Sequence, residues 1–206
     1  MFSRRSLFVA IASAVLALGI AAGPAQAASD ADARALVQAL ESEAVAMAAK
    51  NLTQADREKR FRTLLANQFD VPTICQFILS RHWRTATPEQ RQEFQKLFED
   101  MTVLTWVRRF DDYGGQKLNV TRISAEPDGY ITETAIARAG SPPMPVLWRM
   151  TERDGRLRVT DIIVEGVSMS ITQRQEYGAV IQRNGGIDGL LTLMRGKISN
   201  LQTGNG

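Results

Sequence analysis

Apolar positions recur at helical spacing through residues 30–112, change to strand-like alternation over 117–165, and return to helical spacing over 166–200. In the first block, Leu36, Val37, Leu40, Ala44 and Met47 mark one helix from Asp30 to Lys50. Thr53, with Asp56 three residues later, starts a second helix reaching about Gln68, with Phe61, Leu64 and Leu65 inward. A third helix is expected from Asp70 to about Arg84, with Pro72 in its first turn. Thr87-Pro88-Glu89-Gln90 is a capping box with proline at the first helical position, and Phe94, Leu97, Phe98, Met101 and Leu104 follow as one stripe. Beyond Met101 the apolar residues spread around that helix through Val103, Trp106, Val107 and Phe110, so this half must be covered on more than one side.

The middle block reads as four strands: 118–123, 130–136, 146–150 and 157–164. Pro127-Asp128-Gly129 makes the first turn, and Asp154-Gly155 the last, since both its positions tolerate positive φ. Gly140-Ser141-Pro142-Pro143 is expected as a loop, being neither helix nor central strand. In the third block a helix from about Ser170, carrying Tyr177, Val180 and Ile181, stops at Asn184-Gly185-Gly186, and a last helix runs from Ile187 to Ile198 before a frayed tail, 203–206. Helices on both sides of one antiparallel meander give an α+β class with about six helices and four to five strands.

The first 27 residues stand apart. Arg4 and Arg5, an apolar run from Leu7 to Ala22, and Ala25-Gln26-Ala27 form a signal peptide with an A-x-A cleavage site, so the mature chain begins at Ala28 and localises to the periplasm. The paired arginines fit both general secretory and twin-arginine export. Cleavage removes two of the positive charges and no acid, so the formal charge falls from +3 to +1. That balance argues against a nucleic-acid partner. The single cysteine, Cys75, excludes an intramolecular disulfide and a cysteine-built metal centre, and its apolar neighbours make it a structural thiol. A single domain, 28–206, is expected for a chain of this length.

Candidate catalytic chemistry is sparse. His82, the only histidine, sits beside Trp83 at a helix end and reads as a packing residue. Ser168 and Ser170 lack the second glycine of a nucleophile elbow and read as helix caps. Asp161 and Glu165, four apart on a strand, lie roughly 13 Å from each other by the strand rise, too far for a carboxylate pair. No catalytic residue, metal site or cofactor is therefore expected. What stands out is apolar surface: Phe98, Met101, Trp106 and Phe110 on the long helix, and Val120, Ile131, Leu147, Trp148, Ile162 and Val164 on the strands. Such a set encloses either a ligand cavity or a packed core.

Three stretches resemble the MlaC, or toluene-tolerance, family: Phe69-Asp70-Val71 through Arg81-His82-Trp83-Arg84 with Thr87 to Arg91; Phe110-Asp111-Asp112-Tyr113; and Val164-Glu165-Gly166-Val167-Ser168 with Tyr177 and Gly185 to Leu190. The resemblance spans about residues 35–198. It implies a cystatin-like roll with an added helical part and, in place of an enzyme, a periplasmic phospholipid carrier that maintains outer-membrane lipid asymmetry. It implies that the residues above other than Trp148, with Tyr177, line a lipid cavity. Its partners would be phospholipid, an inner-membrane ABC permease complex bearing MCE domains, and an outer-membrane lipoprotein–porin complex. Arg108, Arg109 and Lys117 are candidates for headgroup or partner contact. A hopanoid carrier of the same family, a small roll-type enzyme on an apolar substrate and a ligand-free adaptor are the alternatives.

Overall fold

The computed structural model describes residues 28–112, 115–138 and 140–203. The signal segment 1–27, Tyr113 and the end of the tail, 204–206, lie outside them. The described residues form seven α-helices, one 3-10 turn and a five-stranded antiparallel sheet in the order β1-β2-β3-β4-β5.

The helix starts follow from side-chain capping. Ser29 with Asp32, Thr53 with Asp56 and Thr87 with Gln90 each form a complete capping box, opening α1 (Asp30–Met47), α2 (Gln54–Gln68) and α5 (Pro88–Val107). Asp70 caps α3 (Val71–Leu79), its carboxylate accepting from the Thr73 amide and hydroxyl at 3.1 and 2.7 Å. The expected single helix over 70–84 is broken at Ser80, whose φ of 53° and ψ of −122° no helix accommodates, and α4 (Arg81–Thr85) starts afresh. After α5 a 3-10 turn covers Arg108–Asp112. Ser168 caps α6 (Met169–Arg183) through the Ile171 amide at 3.0 Å, and α7 spans Ile187–Gln202.

The strands are longer than their apolar runs: β1 is Leu118–Glu126, β2 Gly129–Arg138, β3 Ser141–Arg153 and β4 Arg156–Val164. Asp154-Gly155 is the tight turn its sequence requires, with φ of 53° and 71°. Glu165-Gly166, with φ of 49° and 83°, is a second such turn, and it leads into the short β5 (Val167–Ser168) that no apolar run announces. Of the segment expected as a loop at 140–143, Gly140 is a turn, but Ser141, Pro142 and Pro143 already belong to β3. Pro145 tolerates this because its carbonyl, accepting from the Glu165 amide at 3.0 Å, faces the side on which β4 has just ended, so its missing N–H leaves no ladder partner unpaired.

Register sorts the sheet residues into two faces. Tyr130, Thr132, Thr134 and Ile136 of β2 share a face with Met150, Trp148, Val146 and Met144 of β3. Bulges between Val120 and Arg122 and opposite Arg149–Met150 shift the alternation, so that Leu118, Val120 and Ile123 of β1 and Leu157, Val159, Ile162 and Val164 of β4 join the same face. This inner face meets the helices. α1 begins at Glu152 and Tyr130 and reaches the first residue of β1, whose Leu118 amide donates to Glu41 at 3.1 Å. The α2–α3 junction is stitched to the free edge of β4: the Asp70 amide donates to the Val159 carbonyl at 3.0 Å, and the buried Asp70 carboxylate takes the Arg153 guanidinium at 2.9 Å.

Two stability outcomes follow. Ser80 adopts a backbone conformation natural to glycine, so Ser80→Gly is expected to raise the midpoint of thermal unfolding, by a free energy on the order of 1 kcal/mol. A lower midpoint would show that the Ser80 side chain holds the α3–α4 break in place. Cys75 is fully buried, and burial pushes its thiol well above the ordinary range. Cys75→Ser places a hydroxyl there and is expected to cost about 1–3 kcal/mol in denaturant unfolding.

Candidate functional site

The inner face of the sheet divides along its length. At the end where α1 starts, Met150, Leu157 and Val159 are sealed into the main core with Leu36, Ile74 and Ile78. Toward the other end, Val120, Trp148 and Ile162 are only partly buried against that core, and Ile136, Met144 and Val164 are half-buried without joining it. Apolar strand residues on one face, left incompletely covered, are the surface best suited to hold an apolar ligand.

Polar groups within this face are internally satisfied. Thr134 is 2% exposed, yet its hydroxyl donates to the Val146 carbonyl and accepts from the Trp148 indole N–H, both at 3.0 Å. The bond fixes the indole on the inner face of the sheet. Thr132 is completely buried, its hydroxyl 3.9 Å from the Met150 sulfur. The threonines thereby present methyls and bonded hydroxyls, an effectively apolar floor.

The ten residues singled out in the sequence do not all meet. Val120, Ile162 and Val164 share the inner face. Ile131 and Leu147 lie on the opposite one, where the strand rows also carry Glu133, Arg149 and Asp161. On β2 it is the threonines that face inward, and Ile131 faces outward. Phe98, Met101 and Tyr177 are buried in the helical core: Phe94 stacks on Phe98 at 6.2 Å and meets Tyr177 edge-on at 5.8 Å. Burial raises the Tyr177 hydroxyl above its ordinary range. Phe110 packs on Phe61 at 5.9 Å, while Trp106 is 44% exposed with the Arg109 guanidinium 4.8 Å from its ring centre. Trp148, also noted in the sequence as an apolar strand residue, belongs to the face, as do Val146, Ile136 and Met144, which the sequence reading did not single out. Val146 is detectable as an alternate member of the run Val146 to Met150.

Two surface concavities, of about 620 and 440 Å³, lie elsewhere. The larger, between α1 and α2, is lined by Glu43, Asp56, Lys59 and Arg60 among others. The smaller surrounds Ala28 and Arg156. Neither includes any of the ten.

The remaining polar candidates are engaged structurally. The Asp161 carboxylate accepts from the Ser168 hydroxyl at 2.5 Å and the Ser170 amide at 3.0 Å, tying the start of α6 to β4. Glu165 pairs with Arg138 at 2.9 Å. His82 accepts from the Arg81 Nε at 3.3 Å. Arg108 donates to the Leu201 carbonyl, holding α7 to the end of α5, and Lys117 is exposed. Among the described residues no three of His, Cys, Asp and Glu are grouped to hold a metal ion, and no helix is long and apolar enough to cross a membrane.

The same architecture recurs in known proteins. The structure of the phospholipid-binding protein from Ralstonia solanacearum, solved in complex with a phospholipid, superposes with a TM-score of 0.72 at 21% identity, covering 83% of this chain and 99% of that one. At this identity the likeness speaks for the fold. The toluene tolerance protein ttg2D of Pseudomonas putida is 26% identical over 125 residues, 59% of this chain and 58% of the relative. The intermembrane phospholipid transport system binding protein MlaC of Haemophilus influenzae is 24% identical over 123 residues, 57% of each chain. The matched region thus spans under three fifths of either relative's length. The model of the MlaC protein family matches residues 25–196, which takes in the sheet, α1 to α6 and most of α7, and on that match the chain belongs to the MlaC family.

Proposed function

We propose that this protein is a periplasmic phospholipid carrier, exported by residues 1–27 and consisting of one lipid-binding domain from Ala28 onward, whose acyl-chain seat is the incompletely covered inner face of the sheet. The observation that carries this reading is the half-buried apolar set Val120, Ile136, Met144, Trp148, Ile162 and Val164 on one face of the sheet. The acyl chains lie on this floor when the helical layer moves away from it, and the headgroup stays in water.

A two-chain lipid has roughly thirty methylenes at about 0.8 kcal/mol each, so its release into water would cost on the order of 20 kcal/mol. Spontaneous loss is negligible on that scale. The chains are equally well accommodated in a bilayer, so transfer is decided by which complex the carrier docks on. Family membership supports an inner-membrane ABC permease with an MCE-domain component and an outer-membrane lipoprotein–porin complex as those partners, with outer-membrane lipid asymmetry as the outcome. The same apolar floor reads chains in preference to headgroups, so binding of diacyl phospholipid is expected at one-to-one stoichiometry with weak headgroup preference.

The two faces of the sheet provide the test. Val120→Trp, on the inner face, is expected to reduce the lipid that copurifies with the protein while leaving lipid-stripped protein folded. Ile131→Trp, on the outer face, is expected to leave lipid content unchanged. Solvent extraction with mass spectrometry, beside thermal unfolding of stripped protein, reads both. Equal lipid loss in the two variants, or no phospholipid in the parent protein after gentle purification, would overturn the assignment.

A further inference from the structure

We propose that Ala28, freed by cleavage after Ala27, is not a loose end: its α-ammonium is bound as a structural cation by Glu152, so that removing the signal peptide tightens the attachment of α1 to the sheet. This rests on the export reading above and adds a role for the new terminus that the lipid seat does not require.

The geometry around Ala28 is that of a built seat. Its nitrogen lies 3.1 Å from the Glu152 Oε2 on β3, and its carbonyl accepts from the Tyr130 hydroxyl on β2 at 2.9 Å. The residue also packs against the main core, and α1 starts immediately after it, with Ser29 as cap. Two consecutive backbone polar groups of one alanine are thus held by side chains more than one hundred positions away in sequence. In the precursor this nitrogen is a neutral amide with one hydrogen. After cleavage it becomes an ammonium with three, and its bond to Glu152 becomes an ion pair with charge on both partners.

The electrostatic surroundings explain why an acid is needed there. A positive charge at the start of a helix is opposed by the helix dipole. Glu152 from β3 and Asp30 and Asp32 from the first turn of α1 counter it, and Asp32 is already engaged by the Ser29 amide and hydroxyl at 2.8 and 2.6 Å. Arg156 from β4, which lines the adjoining concavity, adds repulsion, and Tyr130 from β2 contributes a neutral hydroxyl. Glu152 is the carboxylate in direct contact with the nitrogen.

The sign of the pH dependence follows. A terminal amine paired with a carboxylate has a higher folded-state pKa than the ordinary α-amino value near 8. Its stabilising contribution is then complete below about pH 8 and disappears as pH rises through the folded pKa. Because Glu152 is solvent-exposed, the pair is screened and its effect is small.

The experiment uses full-length protein exported through its own leader. Intact mass is expected to give a chain starting at Ala28, and NMR titration of the terminal amine a pKa that falls by a few tenths of a unit or more in Glu152→Gln, which keeps an acceptor but removes the charge. A glycine inserted between Ala27 and Ala28, which displaces the ammonium, should lower the unfolding midpoint at pH 7 as much as Glu152→Gln does, without adding to it when combined. A chain that keeps its leader or starts elsewhere overturns the proposal through the export reading. A start at Ala28 with an amine whose pKa ignores Glu152 overturns the seat alone.

Discussion

A five-stranded sheet with one apolar face must bury that face, and in this protein the helices bury one end of it much better than the other. The asymmetry originates where the helical layer is fastened. Phe69 bridges to Val159 on the free edge of β4, Asp70 caps α3, and the Asp70 carboxylate takes Arg153 from the neighbouring strand, all within a few residues. These contacts fix the α2–α3 junction against Val159 and Leu157, and α1 is held nearby through Ala28. Farther along the face the cover is uneven: Thr134 and Val146 are buried, while Val120, Ile136, Met144, Trp148, Ile162 and Val164 are half-buried.

Much of the helical layer packs on itself away from the sheet. Phe94, Phe98, Tyr177, Leu190 and Leu191 pack among themselves in the shared core of α5, α6 and α7, and α5 and α7 are further joined through Glu93 with Arg195 at 2.5 Å and Gln90 with Asp188 at 2.8 Å. On the proposed reading, the contacts that hold the helical layer together and the surface that seats the ligand are separate. A carrier benefits from this separation, because chains entering and leaving the sheet face disturb contacts that the fold can spare. Trp148 illustrates the compromise: its indole is bonded to Thr134, which defines its place on the floor, while its ring remains partly accessible.

Much of the fold was legible because local chemistry specifies it. Thr53 with Asp56, Thr87 with Gln90 and Asp154-Gly155 are motifs whose geometry is determined within four residues, and each forms as read. The family resemblance was carried by such residues too. What was not legible depends on neighbours distant in sequence. The break at Ser80 has no glycine or proline to announce it, and β5 exists only because Glu165 and Gly166 turn the chain back onto β4. The proposed inner-face site was half legible for the same reason. Apolar character picked out Val120, Ile162 and Val164, which share that face, but the two bulges shift the face to which later residues of β1 and β4 belong, and β2 hides its inward face behind threonines. Hydrophobicity alone therefore selected Ile131 and Leu147, which face the other way.

The central claim is that acyl chains rest on the inner face of the sheet beside Trp148. Tryptophan quenching by phospholipid with brominated acyl chains measures this directly, in a protein carrying Trp83→Phe and Trp106→Phe so that Trp148 is the one remaining tryptophan, excited selectively at the red edge of its absorption. Loading with brominated lipid is expected to quench most of the emission relative to the same lipid unbrominated. Unchanged emission in protein shown by mass spectrometry to be fully loaded would place the chains elsewhere and contradict the account.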